Sequence, residues 1–224
     1  MRRVFLFDID FTMIRTNGAG AAAMTETLHD VLGIANGFAG VHFGGRTDRS
    51  LLREALTAHG RLDEDFEAFV ERFKDRYFPS LDAHLRRLGG DVLPGVPALL
   101  DALAGIEDAR LGLVTGNFRG AAEIKLRYFD LWHRFPNGGF ADDGEDRADV
   151  VAAALDRVGA GQEAVYVFGD SVHDIVAAKA HGAVAVGVVT GSETAAALCA
   201  AGADVVVPNL ADADAVLKAL AMAR

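Results

Sequence analysis

The sequence predicts an α/β protein, an open parallel sheet covered by helices, with a helical segment inserted after the first strand. Three observations predict it. Five short, mostly β-branched apolar runs recur along the chain, helical patterns separate the later four, and the stretch from 16 to about 88 contains no strand pattern. The runs are Val4–Phe7, Leu111–Val114, Val165–Phe168, Val184–Val189 and Val205–Val207. Apolar character without alternation over so few residues suits strands buried on both faces of a parallel sheet. The intervening helical patterns are Pro97–Leu103, Arg119–Phe129, Ala148–Val158, His173–His181 and Thr194–Ala201. Alternation of this kind builds right-handed βαβ units.

The strandless stretch carries three helical patterns, Ala19–Leu32, Asp48–Ala58 and Asp63–Leu88. In the third, Phe66, Phe69, Val70, Phe73 and Tyr77 recur at helical spacing and form one apolar stripe. That stripe reads as the core of the insertion. Asp48 and Asp63 are candidate N-caps, and Gly89-Gly90 with Pro94-Gly95 marks the return to the sheet. The expected division is an α/β core of residues 1–15 and 89–224 with a helical cap of residues 16–88.

Bulk properties exclude several classes. The chain of 224 residues carries a formal net charge of -10, which repels nucleic acid and anionic membrane. The pairs Arg2-Arg3 and Arg86-Arg87 are isolated and read as solvated ends of elements. The single cysteine, Cys199, permits no internal disulfide and reads as a small buried apolar residue. The apolar run near Met1 ends after four residues, too short for a signal peptide. No stretch approaches the roughly 18 apolar residues of a membrane span. A cytoplasmic location is expected, as monomer or homodimer.

The chemistry concentrates at strand ends, where α/β sheets bind ligands. The first strand runs into Asp8-Ile9-Asp10-Phe11-Thr12. Two carboxylates so close repel, so either one is protonated or a cation holds them, and Mg²⁺ is the usual cation with phosphates. The second strand ends in Thr115-Gly116-Asn117, which offers a hydroxyl, an unhindered N–H and an amide to a phosphoryl group. The third ends in Gly169-Asp170-Ser171-Val172-His173-Asp174 and adds two carboxylates. Each alone could be a helix cap or turn. The three together, in this order, point to phosphoryl chemistry.

In this combination the chain resembles the haloacid dehalogenase (HAD) superfamily, in its phosphoglycolate phosphatase-like branch with an α-helical cap. Asp8-Ile9-Asp10-Phe11-Thr12 matches the first motif of that family, Thr115 the second, and Gly169-Asp170 with Asp174 the fourth. The resemblance implies a Rossmann-like core and a Mg²⁺-dependent phosphatase acting on a small phosphorylated metabolite. Asp8 would be the nucleophile and Asp10 the acid and base. Asp8, Asp170 and the backbone carbonyl of Asp10 would hold the metal, and Thr115 the phosphate oxygens. Asp174 would be an outer partner of the metal or an anchor for Arg147, with the first preferred.

The third motif departs from the family. Its usual lysine is absent from residues 140–149, where Arg147 is the sole cation. Arg147 opens a helix at the right place and is assigned the role, as a planar fork rather than a point charge. Lys125, the other candidate, reads as a surface lysine in mid-helix. Gly44-Gly45-Arg46-Thr47-Asp48 resembles a cap segment of this branch, so Arg46 is a candidate for a substrate anion. Thr16 and His42 are weaker candidates, and His173 is expected to face outward. Competing readings are a sugar-phosphate mutase, a 2-haloacid dehalogenase, against which Asp10 argues, and an inactive regulatory homologue.

Overall fold

The structure, a computed structural model, describes residues 2–62, 65–161 and 163–222. The chain opens with β1 (Arg3–Phe7) and a two-residue strand β2 (Ile14–Arg15). Helices α1 (Ala19–Leu32), α2 (Asp48–Ala58) and α3 (Phe66–Leu88) follow. Strand β3 (Asp91–Val92) pairs antiparallel with β2, so the three helices leave and rejoin the sheet through one narrow ribbon. The rest alternates as α4 (Val96–Ala104), β4 (Ala109–Val114), α5 (Arg119–Tyr128), β5 (Asn137–Gly139), α6 (Arg147–Arg157) and β6 (Ala164–Gly169). It ends with α7 (Val172–Ala180), β7 (Val184–Val188), α8 (Ala195–Ala200), β8 (Val205–Val207) and α9 (Ala213–Met222).

Six strands form one parallel sheet in the order β5-β4-β1-β6-β7-β8. The connections lead outward from β1 in both directions, so the crevice beyond its carboxyl end is the switch point where ligands bind. Phe7 pairs with Leu113 on β4 and with Phe168 on β6. That register sets Asp8, Val114 and Gly169 level, and the motif residues follow immediately. Alternation along β1 divides the core. Phe5 and Phe7 join one apolar cluster and Val4 and Leu6 the other, one on each face of the sheet.

All five expected strands form, within two residues at each end. Strand β5 is additional. Its sequence Asn-Gly-Gly carries no apolar signal, and the glycines are there for room: a Cβ on Gly139 would lie 1.9 Å from the Val150 carbonyl of α6. Among the described residues no strand lies between 16 and 88, as expected. The Phe66 to Tyr77 stripe is buried and packs with Met24, Leu28, Leu51 and Leu52 from the other two helices. Phe118 and Ala121, at the start of α5, belong to the same cluster, so the inserted helices and the sheet domain share apolar packing.

Two capping expectations change. Thr47, not Asp48, caps α2, its hydroxyl accepting from the Ser50 N–H at 3.1 Å, and Asp48 is freed for another task. Asp63 lies outside the described residues, while Asp65 caps α3, accepting from the N–H groups of Glu67 and Ala68. Cys199 is exposed, not buried, because α8 turns Leu198 inward and the next residue points away. No helix among the described residues is long and apolar enough to cross a membrane.

Candidate active site

Asp8 is the first residue past β1, and its N–H still donates to the Phe168 carbonyl at 2.9 Å. Its side chain is buried beside Arg147, which opens α6. The Arg147 Nη2 donates to Asp8 Oδ1 at 2.5 Å and to Asp174 Oδ1 at 2.5 Å, and Nε donates to the same Asp174 oxygen at 2.8 Å. Burial opposes the Arg147 charge, but Asp174 and Asp8 outweigh it and raise its pKa. Asp174 Oδ2 in turn accepts from the Ser171 hydroxyl at 2.7 Å and the Ser171 N–H at 3.2 Å. Of the two expected roles for Asp174, the contact seen is the anchoring of Arg147.

Asp170 completes this half. One carboxylate oxygen each from Asp8, Asp170 and Asp174 lie within 4.8 Å of one another. Burial, then the charges of Asp8 and Asp174, push Asp170 up to about 8. Burial pushes Asp8 up to about 7 against the pull of Arg147. One guanidinium therefore does not neutralise three crowded carboxylates. The unbalanced negative charge, all on hard oxygen ligands, fits a divalent cation. Asp174 is committed to Arg147 and Ser171, so Asp8 and Asp170 are the carboxylates with lone pairs to spare. The carboxylate of Asp10 points elsewhere and is not in the cluster.

The Asp10 carboxylate meets the cation that was expected at the surface. Lys125 is only 4% exposed, and its Nζ donates to Asp10 Oδ2 at 2.7 Å and to Asn117 Oδ1 at 2.6 Å. Helix α5 buries Ala121, Ala122, Lys125 and Leu126. Lys125 thus lies on the apolar face, one turn beyond Ala121, and the helical period was the signal that could have found it. Asn117 Nδ2 donates to Asp10 Oδ2 at 2.7 Å and to Thr115 Oγ1 at 2.8 Å. Both amide hydrogens are used, so the Asn117 side chain braces the site rather than offering a donor to phosphate. Thr115 is fully buried and accepts those contacts, which leaves its hydroxyl proton to donate.

Asp48 was missed as a site residue. It reaches from α2 to the loop after β4. Its N–H donates to the Gly116 carbonyl at 2.6 Å, and its Oδ2 accepts from the Phe118 N–H at 2.8 Å. Burial pushes Asp48 up to about 7, opposed by Lys125 and by the Phe118 N–H. Gly116 must be glycine here, since a Cβ would lie 2.1 Å from the Arg46 carbonyl. The Arg46 guanidinium, just before α2, lies along that helix against Glu54 at 2.6 Å and Ser50, so its charge is partnered.

A cavity of about 290 Å³ opens over these groups. Asp8, Asp10, Asp170 and Arg147 lie on its floor, and Phe11, Met24, Phe43, Leu51 and Tyr77 supply apolar wall. Thr16 is buried and lines it. His42 is exposed and lies outside the lining, and His173 is exposed with its ring against Gly45.

Residues 5–188 match the family model of the haloacid dehalogenase-like hydrolases. The chain is 26% identical over 226 residues to a Dickeya dadantii protein described as "Probable phosphatase IndB", covering 95% of this chain and 92% of that one. A hydrolase from Pseudomonas syringae superposes with a TM-score of 0.74 at 25% identity, covering 96% of this chain and 97% of the other. A β-phosphoglucomutase from Clostridium difficile shares the fold at 18% identity, with a TM-score of 0.73 over 99% and 98% of the two chains.

Proposed function

The chain belongs to the haloacid dehalogenase-like hydrolases, and we propose that it is a Mg²⁺-dependent phosphatase of a small phosphomonoester, working through an aspartyl-phosphate on Asp8. The observation that carries this reading is the separation of two neighbouring carboxylates. Asp8 faces Arg147 and Asp170, while Asp10, two residues on, is held by Lys125 and Asn117. One is placed to attack and the other to move a proton.

Asp8 attacks phosphorus in line while the bond to the leaving oxygen breaks. Arg147 keeps the attacking carboxylate oriented and partly neutralised. Asp10 gives a proton to the departing oxygen, then takes one from the water that hydrolyses the phosphoaspartate. The Thr115 hydroxyl and the unhindered Gly116 N–H are the donors for the phosphate oxygens. Mg²⁺, held by Asp8, Asp170 and the Asp10 carbonyl, would supply charge neutralisation between carboxylates and phosphate. Residues 16–88 serve as the cap over a core of 1–15 and 89–224. The apolar wall from α1, α2 and α3 would receive the alcohol part of the substrate and exclude water.

The test is phosphate release from an aryl phosphate and from a panel of phosphorylated metabolites, with Mg²⁺ and with chelator. Turnover with Mg²⁺ that disappears on chelation is expected. Interconversion of hexose phosphates without phosphate release would replace this reading with a mutase.

A further inference from the structure

Lys125 lies in the site but away from the nucleophile, on the oxygen of Asp10 that Asn117 also holds. Both donors converge on Oδ2, at 2.7 Å each, and Lys125 Nζ closes the triangle on Asn117 Oδ1 at 2.6 Å. The lysine head is boxed in. It is buried, and a Cβ on Gly20 of α1 would sit 3.4 Å from its Nζ. Neither donor reaches Oδ1.

We propose that Lys125, with Asn117, is a positioning residue that pins Asp10 by Oδ2 and so presents Oδ1 to the leaving group. With Oδ2 occupied by two donors, the proton that Asp10 transfers resides on Oδ1. In the first step the Asp8–phosphorus bond forms, the bond from phosphorus to the ester oxygen breaks, and that oxygen keeps the electron pair. The Oδ1 proton then joins it, and the alcohol departs. In the second step water attacks phosphorus, its proton returns to Oδ1, and the Asp8–phosphorus bond breaks to free phosphate. A carboxylate rotating freely about its Cβ–Cγ bond would offer either oxygen and waste most orientations. This role rests on the phosphatase reading of Asp8 and Asp10.

The experiment is a leaving-group series on the Lys125→Met variant, which keeps an unbranched side chain of similar length. Rates of phosphate release are measured for aryl phosphates of graded leaving-group pKa and for alkyl phosphates. Alkyl esters need the proton and nitrophenyl esters do not. Lys125→Met should lose about 10²–10³ in kcat on alkyl phosphates and under about tenfold on p-nitrophenyl phosphate, steepening the leaving-group slope. A partly folded preparation lowers every rate by one factor and leaves the slope unchanged, so misfolding cannot imitate the result. An unchanged slope overturns the proposal. The phosphatase reading has its own control: if Asp8→Asn retains wild-type turnover, that reading falls and the Lys125 role with it. If Asp8→Asn is dead and the Lys125→Met slope is unchanged from the parent protein, only the Lys125 role falls.

Discussion

The two halves of the site use different cations for different work. On the Asp8 side, a planar guanidinium bridges two carboxylates, and both of its partners are buried, with side chains 8% and 1% exposed. On the Asp10 side, a single ammonium meets one carboxylate, and that side chain is 30% exposed. An arginine fork is rigid and permanently charged, so it suits the fixed anion that the proposed attack by Asp8 requires. A lysine is a point charge on a flexible stem and needs a box of neighbours to hold it still, which Asn117 and Gly20 provide. Charge balance dominates one half, and orientation of a single oxygen dominates the other.

The comparison breaks most decisively at Asp8. Asp8→Asn should lose at least about 10⁴-fold in phosphate release, because the amide cannot form the covalent intermediate. The same variant relieves one carboxylate of the crowded group, so its thermal midpoint in chelator should rise, not fall. Loss of activity with gain of stability is the signature expected of the nucleophile, and a wild-type rate would remove Asp8 from the mechanism.

Arg147→Ala comes next. It strands Asp8 and Asp174 without their shared partner, and removing one member of a buried ion pair costs about 3–5 kcal/mol. Calorimetry should show that loss, and kcat should fall about 10²–10³-fold. Arg147→Lys restores charge but not the fork, so it should recover part of the stability and less of the rate. If Arg147→Ala instead steepens the leaving-group slope, as expected for Lys125→Met, the division of labour between the two cations is wrong.

The asymmetry also explains what could be read in advance. The strand ends were legible because continuous apolar runs mark buried parallel strands, and Asp8, Thr115 and Asp170 follow them directly. Arg147 was legible because it opens a helix next to a motif whose lysine is missing. Lys125 was misplaced because residue type outweighed position: a lysine in mid-helix is ordinarily solvated, yet this one follows Ala121 and Ala122 onto the buried face. Asn117 was read as a phosphate donor because a sequence shows an amide but not that Asp10 and Thr115 have claimed both its hydrogens. β5 was invisible because its glycines answer to close neighbours, Gly138 to Leu113 of β4 and Gly139 to the Val150 carbonyl of α6, a tertiary demand that leaves no local pattern. Asp48 was taken for a cap because an aspartate at the start of a helical pattern ordinarily caps it, whereas Thr47, one residue earlier, does that work.

Asp48 offers the gentlest probe, since it lies between the two halves and does not touch the reacting atoms. It holds the Phe118 N–H, next to Asn117, while its own N–H holds Gly116. Its pKa stands at about 7 in the fold, raised by burial from 3.8. The folded state therefore keeps a proton that the unfolded chain has released, and the stability this contributes is lost as pH rises toward 7. Asp8 and Asp170, raised by burial to about 7 and about 8, act in the same direction. Asp143, Glu163 and Asp204 are lowered, so their contributions are lost only in more acidic solution. In chelator, the thermal midpoint should accordingly fall as pH rises from 5 to 8. Asp48→Asn keeps an oxygen for the Phe118 N–H but has no proton to release. Its fall over that range should be smaller by about 2–4 °C, the shift produced by ~1 kcal/mol in a chain of this size. Mg²⁺ at pH 8 should raise the midpoint of both proteins alike, because the ion answers the repulsion of Asp8 and Asp170 and not the burial of Asp48. Parallel midpoint curves for the two proteins in chelator would mean that Asp48 is ionised throughout, held by Lys125 across the boundary between the halves.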